Sequence, residues 1–377
     1  MRIFLVARGY PTPEAPQWGC FEKDQAEALV IAGHDVTIIS YRQRPFLPYY
    51  AYWTTINNGV KVVSYSVCPG RLLGKFGGFW RTVLERWQLD MAYKKAVKMY
   101  GTPDVLYSHF LYVTNNALYL KNKYHIPLVG IEHWSEIFQS TVQNNVYKLA
   151  AETYKYLDRL VVVSSALKDR IKELFNVDSI VIHNMIGPEF GYGEKTDSSD
   201  KVKIISIGDL IPRKCFDLVI NALSEVILVY PNFTLEIIGE GPEKEHLETL
   251  IREKNLTEKV SLVGRKGRDY IVPALQNADL YVLSSFSETF GLVACEALAC
   301  GLPVIATDCG GPKDFIDIEN GLIIPVNDTE QMANAILSMI KNRESYDRKA
   351  IAEKCYNKFS SAAILNRITE VLASCLP

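Results

Sequence analysis

Neither sign of charge dominates this 377-residue chain: its formal net charge is −2, so no global field favours nucleic acid as a partner. The eight cysteines (Cys20, Cys68, Cys215, Cys295, Cys300, Cys309, Cys355 and Cys375) form no Cys-x-x-Cys pair and no metal-ligand spacing. They read as the reduced thiols of a cytoplasmic protein. No Asp-x-Asp triplet occurs, and no cluster of His, Cys and Asp has metal spacing, so neither a metal nor another cofactor is expected. No Gly-x-Gly-x-x-Gly follows the first apolar run, which argues against a dinucleotide dehydrogenase. No stretch reaches the roughly 18 to 20 apolar residues of a membrane-spanning helix. The apolar run in MRIFLVARGY, about five residues, is too short for a signal peptide. Any membrane contact is therefore expected to be peripheral.

What is present is a folded soluble chain, 48% hydrophobic and 22% charged, long enough for two domains. Strand-like apolar runs alternate with helical ones from end to end, the pattern of parallel sheets covered by helices on both faces, and hence an α/β fold. Strands are expected near 2–7, 35–40, 60–66, 104–108, 127–131, 159–163 and 179–182, with helices near 21–32, 80–99, 112–123, 145–156 and 166–175. At Gly187 the periodicity breaks into GPEFGYGEKTDSSD, the best candidate for a linker, so the first domain is placed at 1–188. A second series over 201–355 has strands near 203–207, 234–238, 259–263, 279–283 and 303–307, separated by helices near 215–229, 242–253, 268–276 and 291–299. Helical segments near 329–341, 345–357 and 360–374 follow. Two doubly wound, Rossmann-like domains in tandem place their ligand sites at the C-terminal edges of the strands, and a central cleft is the expected active site.

The stretch from Ser284 to Gly311 carries the clearest chemistry. A buried strand leads through a loop of small and polar residues to a helix opening near Gly291, and Glu288 and Glu296 sit eight residues apart. The first amides of such a helix point outward, where its dipole favours an anion. That makes a phosphate seat with carboxylates beside it.

SETFGLVACEALACGLPVIATDCGG resembles the E-x7-E signature of the family 4 retaining glycosyltransferases, which have the two-domain GT-B fold. YPTPEAPQWGCFEKDQAEAL, DVLYSHF, IEHWSE, VVVSSALKDRI, VIHNMIGPEF, IGDLIPRKCFDLVINAL and IIGEGPEKEHL agree in order and spacing, so the resemblance covers essentially the whole chain. It implies that Glu288 touches donor-sugar hydroxyls, that Glu296 holds the ribose of the nucleotide, and that the backbone of Phe290, Gly291 and Leu292 faces the diphosphate. Lys214 is implied as the cation that neutralises that diphosphate. Where the family usually has an arginine shortly before this lysine, the chain has Asp209; either Arg213 compensates or Asp209 points away. Gly239, in the Gly-Glu-Gly-Pro turn, resembles a loop beside the nucleotide, and Arg265 matches a position whose backbone borders the base, although each also fits an ordinary loop. Gly19 corresponds to a glycine that approaches the diphosphate. His133 matches a histidine that reaches the donor sugar, and His109 one nearer the acceptor; an isolated histidine is more often structural. The family's last helix crosses back to the first domain, as 360–374 would here.

The segment RLLGKFGGFWRTVLERWQLDMAYKKAVK at 71–98 interleaves seven basic residues and two acidic ones with Phe76, Phe79, Trp80 and Trp87. It fits either a helix on an anionic membrane surface or one with its apolar face in the core. The expected function is retaining, metal-independent transfer of a hexosyl-type sugar from a nucleotide-diphosphate sugar, UDP-linked first, to a glycan or lipid-linked acceptor in bacterial surface polysaccharide (capsule) synthesis. A nucleotide-sugar epimerase of the same fold and a catalytically silent nucleotide-sugar-binding protein are the rival readings, the second hinted at only by Asp209.

Overall fold

The structure, a computed structural model, describes residues 1–11, 18–43, 51–67, 78–139, 141–196 and 200–376. Residues 12–17 of the N-terminal motif and 71–77 of the basic, aromatic segment lie outside the described residues. The chain forms two compact units, Met1–His183 with Ser361–Pro377, and Asn184–Ser360.

The first unit runs β1 (Arg2–Val6), α1 (Cys20–Ile31), β2 (Asp35–Gln43), β3 (Ala51–Asn57), β4 (Val60–Val67), α2 (Gly78–Tyr100), β5 (Val105–His109), α3 (Leu111–Tyr124), β6 (Leu128–Glu132), α4 (Ser135–Phe138), α5 (Asn144–Tyr154), β7 (Arg159–Val162), α6 (Ser165–Phe175) and β8 (Ile180–Val181). Its sheet has the order β3-β4-β2-β1-β5-β6-β7-β8, parallel except where β3 meets β4. The chain starts at the centre, winds outward on one side, then returns to wind outward on the other, so strand order reverses between β1 and β5. β1 and β5 are almost continuously buried, which is why they read as unbroken apolar runs rather than alternating ones. Phe4, Val6 and Leu106 from the sheet pack with Leu89 and Tyr93 of α2 and Val113 and Ala117 of α3.

The second unit runs β9 (Val202–Ile207), α7 (Phe216–Val226), β10 (Phe233–Ile238), α8 (Lys244–Glu253), β11 (Val260–Leu262), α9 (Arg268–Asn277), β12 (Leu280–Leu283), α10 (Leu292–Ala299), β13 (Val304–Thr307), β14 (Gly321–Ile324), α11 (Thr329–Asn342) and α12 (Arg348–Phe359). All neighbours in its sheet, β11-β10-β9-β12-β13-β14, are parallel, and the reversal lies between β9 and β12. Ile204, Leu235, Val282 and Ile305 meet Leu223 of α7 and Ile336 of α11 in one core. Fully burying each such side chain is worth about 1.5–3 kcal/mol. The stretch after Gly187 is held to this unit: Gln276 donates to the Gly191 carbonyl at 2.9 Å, and Lys195 pairs with Asp279 at 2.6 Å.

The last helix, α13 (Ser361–Ala373), belongs to the first unit and packs on α1. His34 Nε2 lies 3.1 Å from Thr369 Oγ1, and Arg367 donates to the Val181 carbonyl at 2.7 Å. Every strand and helix expected from the periodicity is present, with ends shifted by a few residues, and the fold class is the expected α/β pair. Among the strands and α-helices of the described residues, three are additional. β3 pairs antiparallel at the sheet edge with Trp53 and Ile56 exposed, so it lacks the buried run of its neighbours. α4 and β14 are each four residues long, too short to show a period. No helix among the described residues is long and apolar enough to cross a membrane.

Candidate functional site

In the second unit the loops after β9 and β12 meet at the reversal of strand order. Ser284 Oγ donates to the Lys214 carbonyl at 2.8 Å, the Phe286 amide to the Arg213 carbonyl at 2.8 Å, and Arg213 Nη1 to the Ser287 carbonyl at 2.6 Å. These bonds bring Lys214 Nζ onto Glu288 Oε1, which also accepts from Ser285 Oγ at 2.7 Å, while Arg213 Nη1 lies 3.7 Å from Glu288 Oε2. Glu288 is itself pinned through its backbone to the loop after β13: its amide donates to the Cys309 carbonyl at 2.8 Å, and its carbonyl accepts from the Gly311 amide at 3.0 Å. Burial pushes the Glu288 carboxyl up, but the charges of Lys214 and Arg213 and the hydrogen bonds from Lys214 and Ser285 outweigh it and hold the group below the ordinary glutamate value. The serines that organise this seat, Ser284 and Ser285, stand in the sequence only as a small, polar loop. Nothing in their spacing marks them.

α10 begins directly behind the seat. Gly291 precedes it in a left-handed conformation (φ 86°), which a side chain would strain. Phe290 is buried against Phe315 and Phe359, with ring centroids 5.1 and 5.7 Å away, so it offers the loop only its backbone. Leu292 opens the helix, and Glu296 is buried within it. The first-turn amides of such a helix have no acceptor inside the helix and favour an anion. Asp209 pairs instead with Arg265 at 3.2 Å, both side chains more than half exposed. At Gly239 a Cβ would fall 1.8 Å from the Gly208 carbonyl oxygen, so close backbone packing alone requires glycine there.

In the first unit the ends of β1, β5 and β6 carry a second cluster. Gly19, at φ 80°, starts α1 with the Gly9 carbonyl where its Cβ would be, 2.4 Å away. The His109 and His133 rings stack at 5.3 Å with planes 15° apart, and Phe110 approaches His133 at 5.0 Å. The Arg8 guanidinium lies 3.8 Å from the centre of the Phe110 ring and pairs with buried Glu22 at 2.9 Å. His109 is fully buried, and neither of its ring nitrogens has a hydrogen-bond partner among the described residues. Burial, aided by the Arg8 charge, pushes its pKa down to about 3, so it is neutral throughout the physiological range. Glu132, which lies within IEHWSE but is given no role by the resemblance, ends β6 just before His133 with its carboxylate buried.

Comparison with known proteins converges on one family. Residues 23–190 match the model described as Glycosyltransferase Family 4, and residues 193–357 that of Glycosyl transferases group 1. An uncharacterized glycosyltransferase of Methanocaldococcus jannaschii is 31% identical over 255 residues, covering 66% of this chain and 68% of that protein. Sucrose-phosphate synthase from Thermosynechococcus elongatus has a similar fold, with a TM-score of 0.80 at 20% identity over 99% of this chain and 98% of that one. So does HepE of Anabaena in complex with UDP and glucose, with a TM-score of 0.76 at 18% identity over 99% of this chain and all of that one. Two doubly wound domains of this kind make up the GT-B fold. The chain belongs to glycosyltransferase family 4.

The buried pair in the second unit has a measurable signature. Because the folded pKa of Glu288 lies below its ordinary 4.5, the stability it contributes is complete above about pH 4.5 and is lost as pH falls through the folded value. Lys214→Ala leaves that carboxylate to Arg213 and Ser285, and should destabilise the unit at pH 7 by at most about 3–5 kcal/mol. Urea unfolding should show the difference from wild type narrowing between pH 7 and pH 3.5; an equal difference at both would contradict the pairing.

Proposed function

We propose that the chain transfers a hexosyl-type sugar, with retention of anomeric configuration and without a metal, from a nucleotide-diphosphate sugar to a hydroxyl of a glycan or lipid-linked acceptor. A UDP-sugar is the first candidate donor, and surface polysaccharide synthesis in a bacterium the first candidate setting. The observation that carries this reading is the convergence of Lys214 and Arg213 on buried Glu288 where α10 begins. Two cations and a helix start suit a diphosphate, and a buried, ionised carboxylate suits sugar hydroxyls that donate to it. HepE, which shares the fold, binds UDP and glucose.

In the proposed reaction the bond from C1 to the diphosphate oxygen breaks while the acceptor oxygen bonds to C1 on the same face. The acceptor's proton passes to the departing phosphate oxygen, whose charge Lys214, Arg213 and the α10 amides stabilise. No side chain is assigned as a nucleophile. Glu288 orients the sugar and Glu296 binds the ribose; His133 keeps its role as a donor-sugar contact. The pairing of Asp209 with Arg265 gives that aspartate a role within the loops, so it no longer favours a silent binding protein.

Membrane contact is proposed for α2, where Trp80, Val83 and Trp87 are exposed at spacings of three and four residues and so share one side of the helix. Salt-sensitive flotation with anionic liposomes is expected, and should be lost in Trp80→Ala/Trp87→Ala.

A thermal-shift screen of UDP-, GDP- and ADP-sugars should identify the donor. With it, Glu288→Ala is expected to lower kcat/KM by about 100-fold or more while changing nucleotide affinity little. Glu296→Ala should weaken nucleotide binding by about 10- to 100-fold, the worth of charged hydrogen bonds. Full activity in both variants would overturn the assignment. NMR of the product should show the donor's anomeric configuration retained; inversion would refute front-face transfer.

A further inference from the structure

The end of β6 carries a group that the donor chemistry leaves unused. Glu132 is 1% exposed, yet both its oxygens are engaged. Oε1 accepts from the His133 amide at 3.0 Å and the Trp134 amide at 2.9 Å, and Oε2 from the Tyr154 hydroxyl at 2.7 Å. The amide of Leu111, first residue of α3, also favours its ionised form. α3 has no side-chain cap of its own, because the residue before it is Phe110. Glu132 places an anion near the positive end of that helix from the neighbouring strand.

Phe110 stands between His109 and α3 with φ 67° and ψ 141°, a region that a bulky residue enters only when its surroundings impose it. The Phe110 amide donates to the Ile131 carbonyl at 3.0 Å, one residue before Glu132. The carboxylate thus fixes the loop that begins with His133, and the strand residue before it holds the elbow that follows His109, the two residues whose rings are stacked.

We propose that Glu132 is a positioning residue for glycosyl transfer: its ionised carboxylate holds the His133–Trp134 loop, and so sets the placement of the His133 ring on which turnover depends. The proposal rests on the reading of His133 as a donor contact.

The surroundings make the charge state of Glu132 responsive to pH. Burial raises its pKa to about 7, against the opposing hydrogen bonds from Tyr154 and the Trp134, His133 and Leu111 amides. Among the groups that face it, Tyr154 of α5 is held well above its ordinary value by burial and by Glu132 itself, and His109 of β5 is neutral. Arg8, beyond Phe110, is paired with Glu22. Glu132 is left as the group here whose burial brings its charge change close to neutrality, and Glu132→Gln removes that charge.

The test uses the full chain and UDP-glucose, or whichever UDP-, GDP- or ADP-sugar stabilises the wild type most. Hydrogen exchange should show the His133 and Trp134 amides at least tenfold less protected in Glu132→Ala than in wild type. In wild type, kcat should rise through about pH 7. Glu132→Gln, which keeps the shape of the side chain and an acceptor oxygen, should lose that rise, with kcat at pH 8 at least tenfold lower and donor KM within twofold. Unchanged amide protection in Glu132→Ala, or a Glu132→Gln profile that superposes on wild type, overturns the proposal. A wild-type chain that turns over none of these sugars overturns the donor reading of His133 instead, and amide exchange then still decides whether Glu132 fixes the loop.

Discussion

A parallel strand that ends beside a reversal of strand order leaves its following loop no neighbour to cover it, because the adjacent chains leave in opposite directions. In this protein both sheets are built around that constraint. β9 and β12 end at one such gap, and β1 and β5 at another. The loops that leave these strands must be stitched to each other rather than packed under a crossing helix. The bonds of Ser284, Phe286 and Arg213 do this in the second unit, and the contact of Arg8 with the Phe110 ring does so in the first. The reactive geometry of each unit is thus a by-product of how its sheet is wound.

Each unit places a carboxylate out of water at such an edge, and the two are handled in opposite ways. Glu288 is buried with two cations, so its charge is held and its pKa lies below the ordinary range. Glu132 is buried with neutral donors among the described residues, two amides and a phenol, so its pKa rises toward neutrality. Coulombic attraction at short range in a shielded site outweighs the loss of hydration, whereas neutral hydrogen bonds offset it only in part. The first arrangement suits a group that must stay charged while substrate charge comes and goes. The second suits one whose charge is conditional.

The strands and most helices were legible because burial on both faces of a parallel sheet produces unbroken apolar runs such as RIFLV, with glycine and proline as punctuation. β3 escaped because an edge strand with exposed aromatics has neither signal. At the sites, Glu288, Lys214 and His133 stood out through motif resemblance. The pairing of Asp209 with Arg265 did not: it spans 56 positions, and a pair this distant leaves no local pattern. Glu132 was hidden for a different reason. A glutamate closing an apolar strand ordinarily signals emergence into solvent, whereas here the amides of the following loop and the Tyr154 hydroxyl hold it inside.

The first unit is discontinuous: α13 returns to it only after the entire second unit has been threaded. A ribosome delivers the chain from its N-terminus, and domains tend to fold as they emerge. The second unit is one unbroken stretch and can close as soon as Ser360 is out. The first, although synthesised earlier, waits with the surface of α1 uncovered until the final helix arrives. Order of synthesis and order of completion are therefore inverted, and the half of the molecule that carries His133 is the last to be finished.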